Sequence, residues 1–215
     1  MSWVTSYFAS SIGKKNLMAV TGLLLCGFLV AHLSGNMLLV VGADAFNAYA
    51  EALTSNRFLL YTAETILFLI FASHIALATL LTVENRRARP NRYVVRGTRG
   101  MSTIASKNMY VTGIIVLVFL VIHLYNFRFA DLEGTTLYDV VASYFQNPVW
   151  VVYYVLSSCV LGVHVWHGFQ SAFKSLGIEH SQYTPFIRRV SWLFAIAVAI
   201  GYSFLPIWLH FQGGE

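Results

Sequence analysis

The sequence predicts an all-α fold: an integral membrane five-helix bundle with an internal two-helix repeat. Three observations predict it, namely an apolar composition, five long apolar stretches and positive charges grouped at alternate ends of those stretches. Of the 215 residues, 57% are hydrophobic and only 11% are charged, whereas an average soluble domain carries roughly 25% charged residues. A chain this apolar is expected to have lipid as its solvent.

Five stretches are long enough to cross a bilayer, whose core of about 30 Å needs roughly 20 apolar residues per helix. The predicted spans are 17–41, 58–83, 109–129, 149–173 and 190–210, within one domain covering residues 1–215. Between the first two spans, the segment Gly42–Leu53 has the pattern of a short amphipathic helix resting at the membrane surface.

The positive charges predict the orientation of the chain in the membrane. The net charge of +5 could suggest a nucleic-acid partner, but we expect none, because the charges are sorted by membrane side. All the lysines and arginines except Arg57 and Arg128 fall on one side of a five-span topology. The positive-inside rule then places the N-terminus in the cytoplasm and the C-terminus outside.

An internal repeat relates the two halves of the chain. The pattern Met18–Gly22 followed by His32 returns 91 residues later as Met109–Gly113 followed by His123. A unit with an even number of spans repeats in the same orientation, so the repeat axis lies along the membrane normal and the fifth span is extra. The second and fourth spans continue the repeat with one histidine each, His74 and His164.

These four histidines form two pairs at two depths. At a rise of 1.5 Å per residue, His32 and His123 lie about 25 Å from the cytoplasmic end of their spans. His74 and His164 lie about 15 Å from that end on spans that run the other way. Two sites with two histidines each, stacked across the membrane, are therefore predicted.

The pairing favours haem over other uses of a buried imidazole. An imidazole in lipid has no water partner and must face the bundle interior. Zinc would gather its protein ligands around one ion, whereas two haems b each take two axial imidazoles. The only two cysteines, Cys26 and Cys159, lie in apolar runs, and no Cys-x-x-Cys-His is present. We therefore expect no cysteine-held metal and no covalent haem attachment.

Small residues near these histidines are expected to leave room for a flat macrocycle. Thr21 lies 11 residues before His32, on the same helix face. The pair Thr21–Gly22 and its repeat mate Thr112–Gly113 are thus predicted at the depth of His74 and His164. Further glycines flank two of the histidines in sequence: Gly27 and Gly35 for His32, Gly162 and Gly168 for His164.

His167 could ligate the haem iron in place of His164, because it lies one turn from His164 toward the cytoplasm. The repeat favours His164, because Leu77 stands at the position after His74 that corresponds to His167. His167 is otherwise a candidate to bond a haem propionate or an ordinary interfacial residue. Lys174 and the basic loop from Arg86 to Arg99 are candidates to neutralise propionates or to dock an acidic partner, or are simple topology signals.

Four segments carry a resemblance to a known family: Ala31–Asn36, Gly42–Asn47, Ile122–Tyr125 and His164–Gly168. They resemble the dihaem cytochrome b membrane-anchor subunits of succinate:quinone oxidoreductases, which include five-helix anchors of succinate dehydrogenases and fumarate reductases. The resemblance runs from about Lys14 to Trp208. It implies a distal haem held by His32 and His123, and a proximal haem, nearer the catalytic subunits, held by His74 and His164.

The same resemblance implies the partners and the setting in a bacterial cytoplasmic membrane. A flavoprotein subunit with FAD and an iron–sulfur subunit would sit on the cytoplasmic side. This chain shows neither a Gly-rich dinucleotide fingerprint nor a cysteine cluster, so those cofactors and the dicarboxylate belong to the partners. Electrons would pass through the two haems to or from a membrane quinone, with menaquinone expected on family grounds.

Two carboxylates are candidates to handle the protons of quinone chemistry. Relatives in the resembling family react with quinone close to the distal haem and use carboxylates there. Glu64 is the carboxylate placed within an apolar run, on the outer side of His74, and an ionisable residue at such a depth is a functional candidate. Glu51, at the membrane surface, is the second candidate. Capping of the second helix is the alternative for Glu64.

Two other functions stay open at the level of sequence. One is a cytochrome b of another quinone-linked system, such as a hydrogenase, a formate dehydrogenase or an ascorbate-linked type. The other is a haem-free transporter, because internal repeats and buried polar groups are common in transporters.

Overall fold

The computed structural model describes residues 2–88 and 108–212, and within them every regular element is a helix. Five helical segments are long and apolar enough to cross a membrane: Ser11–Val41, Arg57–Arg87, Met109–Arg128, Pro148–Ser175 and Thr184–Gln212. The predicted all-helical, five-span fold is confirmed. The basic residues Arg89, Arg92, Arg96, Arg99 and Lys107 lie outside the described part of the chain.

The elements follow one another along the chain with short connections. In order they are α1 Trp3–Ala9, α2 Ser11–Asn36, α3 Leu38–Val41, α4 Ala43–Ser55, α5 Arg57–Arg87, α6 Met109–His123, a π-helix Leu124–Arg128, α7 Leu137–Gln146, α8 Pro148–Ser175 and α9 Thr184–Gln212. We call the end of the bundle near Lys14 and Glu84, which form an ion pair, the inner end. The opposite end, where α4 and α7 lie, is the outer end.

Four of the five membrane helices extend beyond the apolar stretches that predicted them, and the third, Met109–Arg128, does not. The first begins at Ser11 instead of residue 17, because the Ser10 side chain accepts a hydrogen bond from the Gly13 N–H at 3.1 Å and caps the helix. Asn147 caps α8 in the same manner, with Pro148 in the first turn. Polar residues thus continue these four helices past their apolar stretches, where hydropathy gives no signal.

Two surface helices cover the outer end, and only the first was predicted. Helix α4 confirms the predicted amphipathic segment, and it starts after Gly42, whose φ of 135° favours glycine. Helix α7 occupies the equivalent place after the third span. Its sequence signal is the capping box of Thr136 and Asp139. The repeat unit therefore contains a membrane span, a surface helix and a second span.

The two surface helices touch each other and the bundle. Asn47 of α4 accepts a hydrogen bond from the Tyr138 N–H of α7 at 3.1 Å, and the Phe46 ring lies 6.4 Å from that of Tyr138. Beneath them lies a buried apolar cluster made of Leu39, Phe46, Val141, Phe145, Tyr154, Leu205 and Leu209. The outer end of the bundle is consequently closed by packed side chains.

The five membrane helices pack in a definite order. Helix α2 lies against α5 on one side and α8 on the other, and α8 also packs against α6 and α9. A Cβ on Gly162 would come within 2.8 Å of the Ala199 Cβ, so this glycine lets α8 and α9 approach closely. Among the described residues α5 and α6 are not packed side by side. At the outer end, an ion pair links Glu64 of α5 to Arg128 of the π-helix that follows α6.

Candidate haem sites

The inner pair of histidines is held by two threonines that the repeat relates. Thr21 Oγ1 of α2 lies 3.2 Å from Nδ1 of His74 on α5. Thr112 Oγ1 of α6 lies 3.1 Å from Nδ1 of His164 on α8. The structure thus confirms the predicted depth of both threonines and brings each to a histidine of the neighbouring helix.

The glycine that follows each threonine lies directly under the same imidazole. A Cβ on Gly22 would lie 3.2 Å from Cε1 of His74, and a Cβ on Gly113 would lie 3.4 Å from Cε1 of His164. The first separation is tighter than an ordinary van der Waals contact and the second is at its lower limit, so each ring lies close to bare backbone. The Thr-Gly pair therefore supplies one hydrogen-bonding atom and one close approach to each inner histidine.

The outer pair has the spacing of two axial ligands. The ring centroids of His32 and His123 lie 5.9 Å apart with planes at 87°. A metal–nitrogen bond of about 2.0 Å puts two imidazole centroids about 6 Å apart across one metal. Phe28 stacks on His32 at 5.2 Å, and its repeat mate Phe119 lies 5.6 Å from His123.

Hydrogen bonding differs between the two outer histidines. Asn36 Nδ2 lies 3.3 Å from Nδ1 of His32. Its repeat mate Phe127 offers His123 only a ring contact at 5.4 Å. Nδ1 of His123 is buried and has no hydrogen-bond partner among the residues that the structure describes. A buried polar nitrogen without a partner is costly, so this imidazole fits a site completed by a bound group.

The donor set fits haem better than a bare metal ion. Within residues 2–88 and 108–212, no group of three or more His, Cys, Asp or Glu side chains could hold a metal ion. A zinc site needs three or four protein ligands, whereas a haem brings four nitrogen ligands of its own and needs two from the protein. Pairs of histidines are therefore suited to haem and poorly suited to zinc.

Comparison with known proteins gives the family. A family model described as "Succinate dehydrogenase/Fumarate reductase transmembrane subunit" matches residues 82–203, which is more than half of the chain. The chain belongs to this family. It is also 25% identical over 199 residues to the "Succinate dehydrogenase cytochrome b558 subunit" of Bacillus subtilis (strain 168), covering 90% of this chain and 92% of that relative. No solved structure matches the chain.

The predicted resemblance is therefore confirmed at the level of the family. The protein is a multi-pass membrane subunit of the succinate dehydrogenase/fumarate reductase type, related to a cytochrome b. Its matched region includes the third and fourth spans, which carry His123 and His164.

Two of the glycines expected to make room for a macrocycle have another use in this transmembrane subunit. A Cβ on Gly35 would lie 2.6 Å from the Tyr49 ring of α4. Gly162, as described above, lies against α9. Both expectations were wrong because closeness in sequence does not say which helix faces a glycine. Gly168 lies near the Met109 side chain, and Gly27 has nothing within 4 Å of a would-be Cβ.

The two propionate candidates, His167 and Lys174, follow His164 on α8 toward the inner end of the bundle. Nδ1 of His167 is buried and has no partner in the described part of the chain, and the same holds for Nε1 of Trp166. Lys174 is paired with Glu179 at 3.3 Å. His167 thus offers a free nitrogen one turn from His164, while Lys174 shares its charge with a carboxylate.

Glu64 is not a helix cap, so that alternative was wrong. Helix α5 begins at Arg57, and its cap is Asn56. Glu64 instead accepts two hydrogen bonds from Arg128, at 2.6 Å from Nε and 3.0 Å from Nη2. In the sequence, Arg128 stands out only as a positive charge on the outer side. A partner 64 residues away leaves no signal in helical periodicity.

Arg128 closes the π-helix that starts directly after His123. The backbone of Leu124–Arg128 forms this π-helix at the outer end of the third span, and π-helical turns occur frequently at functional sites. Glu51 lies exposed on α4. His210 lies inside α9, with its Nδ1 2.9 Å from the Phe145 carbonyl oxygen.

Proposed function

We propose that this subunit carries electrons between a cytoplasmic dicarboxylate oxidoreductase and a membrane quinone through two b haems. His32 and His123 would hold the distal haem, and His74 and His164 the proximal one. The observation that carries the proposal is the arrangement of the four histidines as repeat-related pairs at two depths. The repeat-related threonines at the inner pair support it.

Haem b, when bound, supplies an iron that exchanges single electrons at each level. The residues of this chain fix where that happens. Phe28 and Phe119 pack against the outer imidazoles. The ring of Tyr154 lies 6.0 Å from that of His123, under the surface helices. These aromatic side chains pack around the outer imidazoles, and such an apolar shell controls solvent access to a redox centre and so its potential.

The partner subunits are a flavoprotein with FAD and an iron–sulfur protein, and we place them at the inner end, in the cytoplasm. The positive-inside rule supports this placement. At that end the Arg86 guanidinium lies over the Tyr110 ring at 5.3 Å. Arg188 and Arg189 have no carboxylate partner within the described ranges. Two unpaired guanidiniums suit an acidic partner surface.

The quinone, menaquinone by family, would bind at the outer end beside His32 and His123. The ion pair of Glu64 and Arg128 lies where α5 and α6 are not packed together, so a quinone in the bilayer has a lateral approach there. A carboxylate near the quinone ring can relay protons. We assign that role to Glu64, with Glu51 as the second candidate, and assign His167 and Lys174 to the propionates.

The experiment is purification of the chain with its associated subunits in detergent. We expect co-purifying flavin and iron–sulfur protein, and a b-type reduced-minus-oxidised spectrum that succinate generates. Succinate-dependent quinone reduction and quinol-dependent fumarate reduction are then assayed on the same sample. Co-purification with a hydrogenase or formate dehydrogenase instead, or a chain without haem, would overturn the proposal.

A further inference from the structure

The hydroxyl protons of Thr21 and Thr112 are already committed to the backbone of their own helices. Thr21 Oγ1 donates to the carbonyl oxygens of Leu17 and Met18, each at 3.0 Å. Thr112 Oγ1 donates to the Met109 carbonyl oxygen, also at 3.0 Å. Because a hydroxyl carries one proton and two lone pairs, each oxygen is left to accept a hydrogen bond from its histidine.

This assignment decides the tautomer of both inner histidines. A neutral imidazole has a proton on one nitrogen only. If Nδ1 donates to the threonine oxygen, Nε2 has no proton and keeps its lone pair for a metal. The reverse arrangement would put the proton on Nε2 and remove the ligand. The hydrogen bond therefore selects the ligating form and also fixes the ring orientation.

The outer histidines have no such threonine partner among the described residues, so they serve as an internal comparison. Nδ1 of His32 faces the side-chain amide of Asn36, and Nδ1 of His123 has no partner among the described residues. No threonine hydroxyl of the described chain is bonded to either outer ring. Any effect specific to the threonines should consequently appear at the inner level alone.

We propose that Thr21 and Thr112 are positioning residues that hold His74 and His164 as Nδ1–H donors, so that Nε2 of each is the axial ligand of the inner haem. The proposal rests on the proposed function, since it concerns the same haem. A ligating imidazole that donates its other N–H becomes a stronger base. A more basic ligand stabilises the ferric iron and lowers the reduction potential of the inner haem.

The test replaces each hydroxyl by a methyl group of nearly the same size, in the intact complex. We expect Thr21→Val and Thr112→Val each to move the midpoint potential of the inner haem upward, and the double variant to move it further. In the redox titration, the component that belongs to the inner haem is the one that disappears in His74→Ala. The outer component should keep its wild-type potential. Haem affinity at the inner level should fall roughly 10- to 100-fold.

Matched variants separate positioning from packing. Thr79→Val makes the same change on α5, where the hydroxyl bonds the Ile75 carbonyl oxygen at 2.9 Å and no histidine, so both potentials should stay at wild type. Thr21→Ser and Thr112→Ser keep the hydroxyl and should restore potential and occupancy. These serine variants also decide the matter if the valine variants lose the inner haem altogether.

Two results would overturn the inference. One is a valine variant that retains both haems with an unchanged inner potential. The other is a serine variant that behaves like the valine variant, because the methyl group and not the hydroxyl would then matter. Failure of the proposed function is distinguishable, since it would show as wild-type protein without two haems.

Discussion

Thr21 and His74 come together from positions 53 apart in the chain, and the sequence predicts their common depth but not their contact. The rise of a helix converts residue number into depth, so repeat-related residues can be sorted into levels. Which way a side chain points around its helix, and which neighbour it meets, depends on packing. That is why the levels of the four histidines were predictable, while the bond between Glu64 and Arg128 was not.

The first prediction at this scale concerns Glu64. Glu64→Gln keeps the size of the side chain and one of the two oxygens that accept hydrogen bonds from Arg128, but it removes the carboxylate. Quinone turnover should therefore fall while both haems stay bound and reducible by succinate. Steady-state quinone turnover and haem spectra are the measurements.

The controls for this prediction separate proton transfer from the ion pair. Glu64→Asp keeps a carboxylate and should retain more turnover than Glu64→Gln. Glu51→Gln is the parallel test for the second candidate. If neither glutamine substitution changes turnover, the carboxylate assignment is wrong. If bound quinone is found only at the inner end, the location of the quinone site is wrong as well.

At the scale of elements, the long helices were easier to predict than the short ones. A membrane span has a strong signal because about 20 consecutive residues must be apolar. Helix α7 has ten residues, of which the inward side alone is apolar, so its main signal is the capping box. The short α1 is capped by Ser2 and lies exposed. It carries no hydropathy pattern that marks it.

A prediction for the surface helices uses Gly35 of α2. Its Cβ in Gly35→Ala would meet the Tyr49 ring of α4 at 2.6 Å, so that ring must move away from α2. We expect overpacking to cost about 1–3 kcal/mol and to perturb the outer haem and quinone turnover more than the inner haem. Thermal unfolding and a redox titration measure both effects.

The matched control lies on the same helix. A Cβ on Gly27 has nothing within 4 Å, so Gly27→Ala should leave stability, both haem spectra and turnover at wild type. Equal effects of the two substitutions would show that Tyr49 and α4 do not protect the outer level. An inner haem that suffers more than the outer one would contradict the placement of α4.

At the scale of the whole molecule, the repeat explains the arrangement. Each half supplies a span with an outer histidine, a surface helix and a span with an inner histidine, and α9 packs along α8. The two halves are not equivalent. Asn36 stands where the second half has Phe127, and α5 and α6 stay apart. A sequence repeat predicts the shared levels, but not these departures, because they arise from packing between the halves.

The number of haems per chain tests the central claim most directly. A pyridine haemochrome assay on the purified complex should give two haems b per chain. His32→Ala or His123→Ala should remove one spectral component, and His74→Ala or His164→Ala the other, while His180→Ala, at an exposed histidine outside the spans, should leave both. One haem or none in the wild-type chain, or loss of the same component in both sets of variants, would contradict the account.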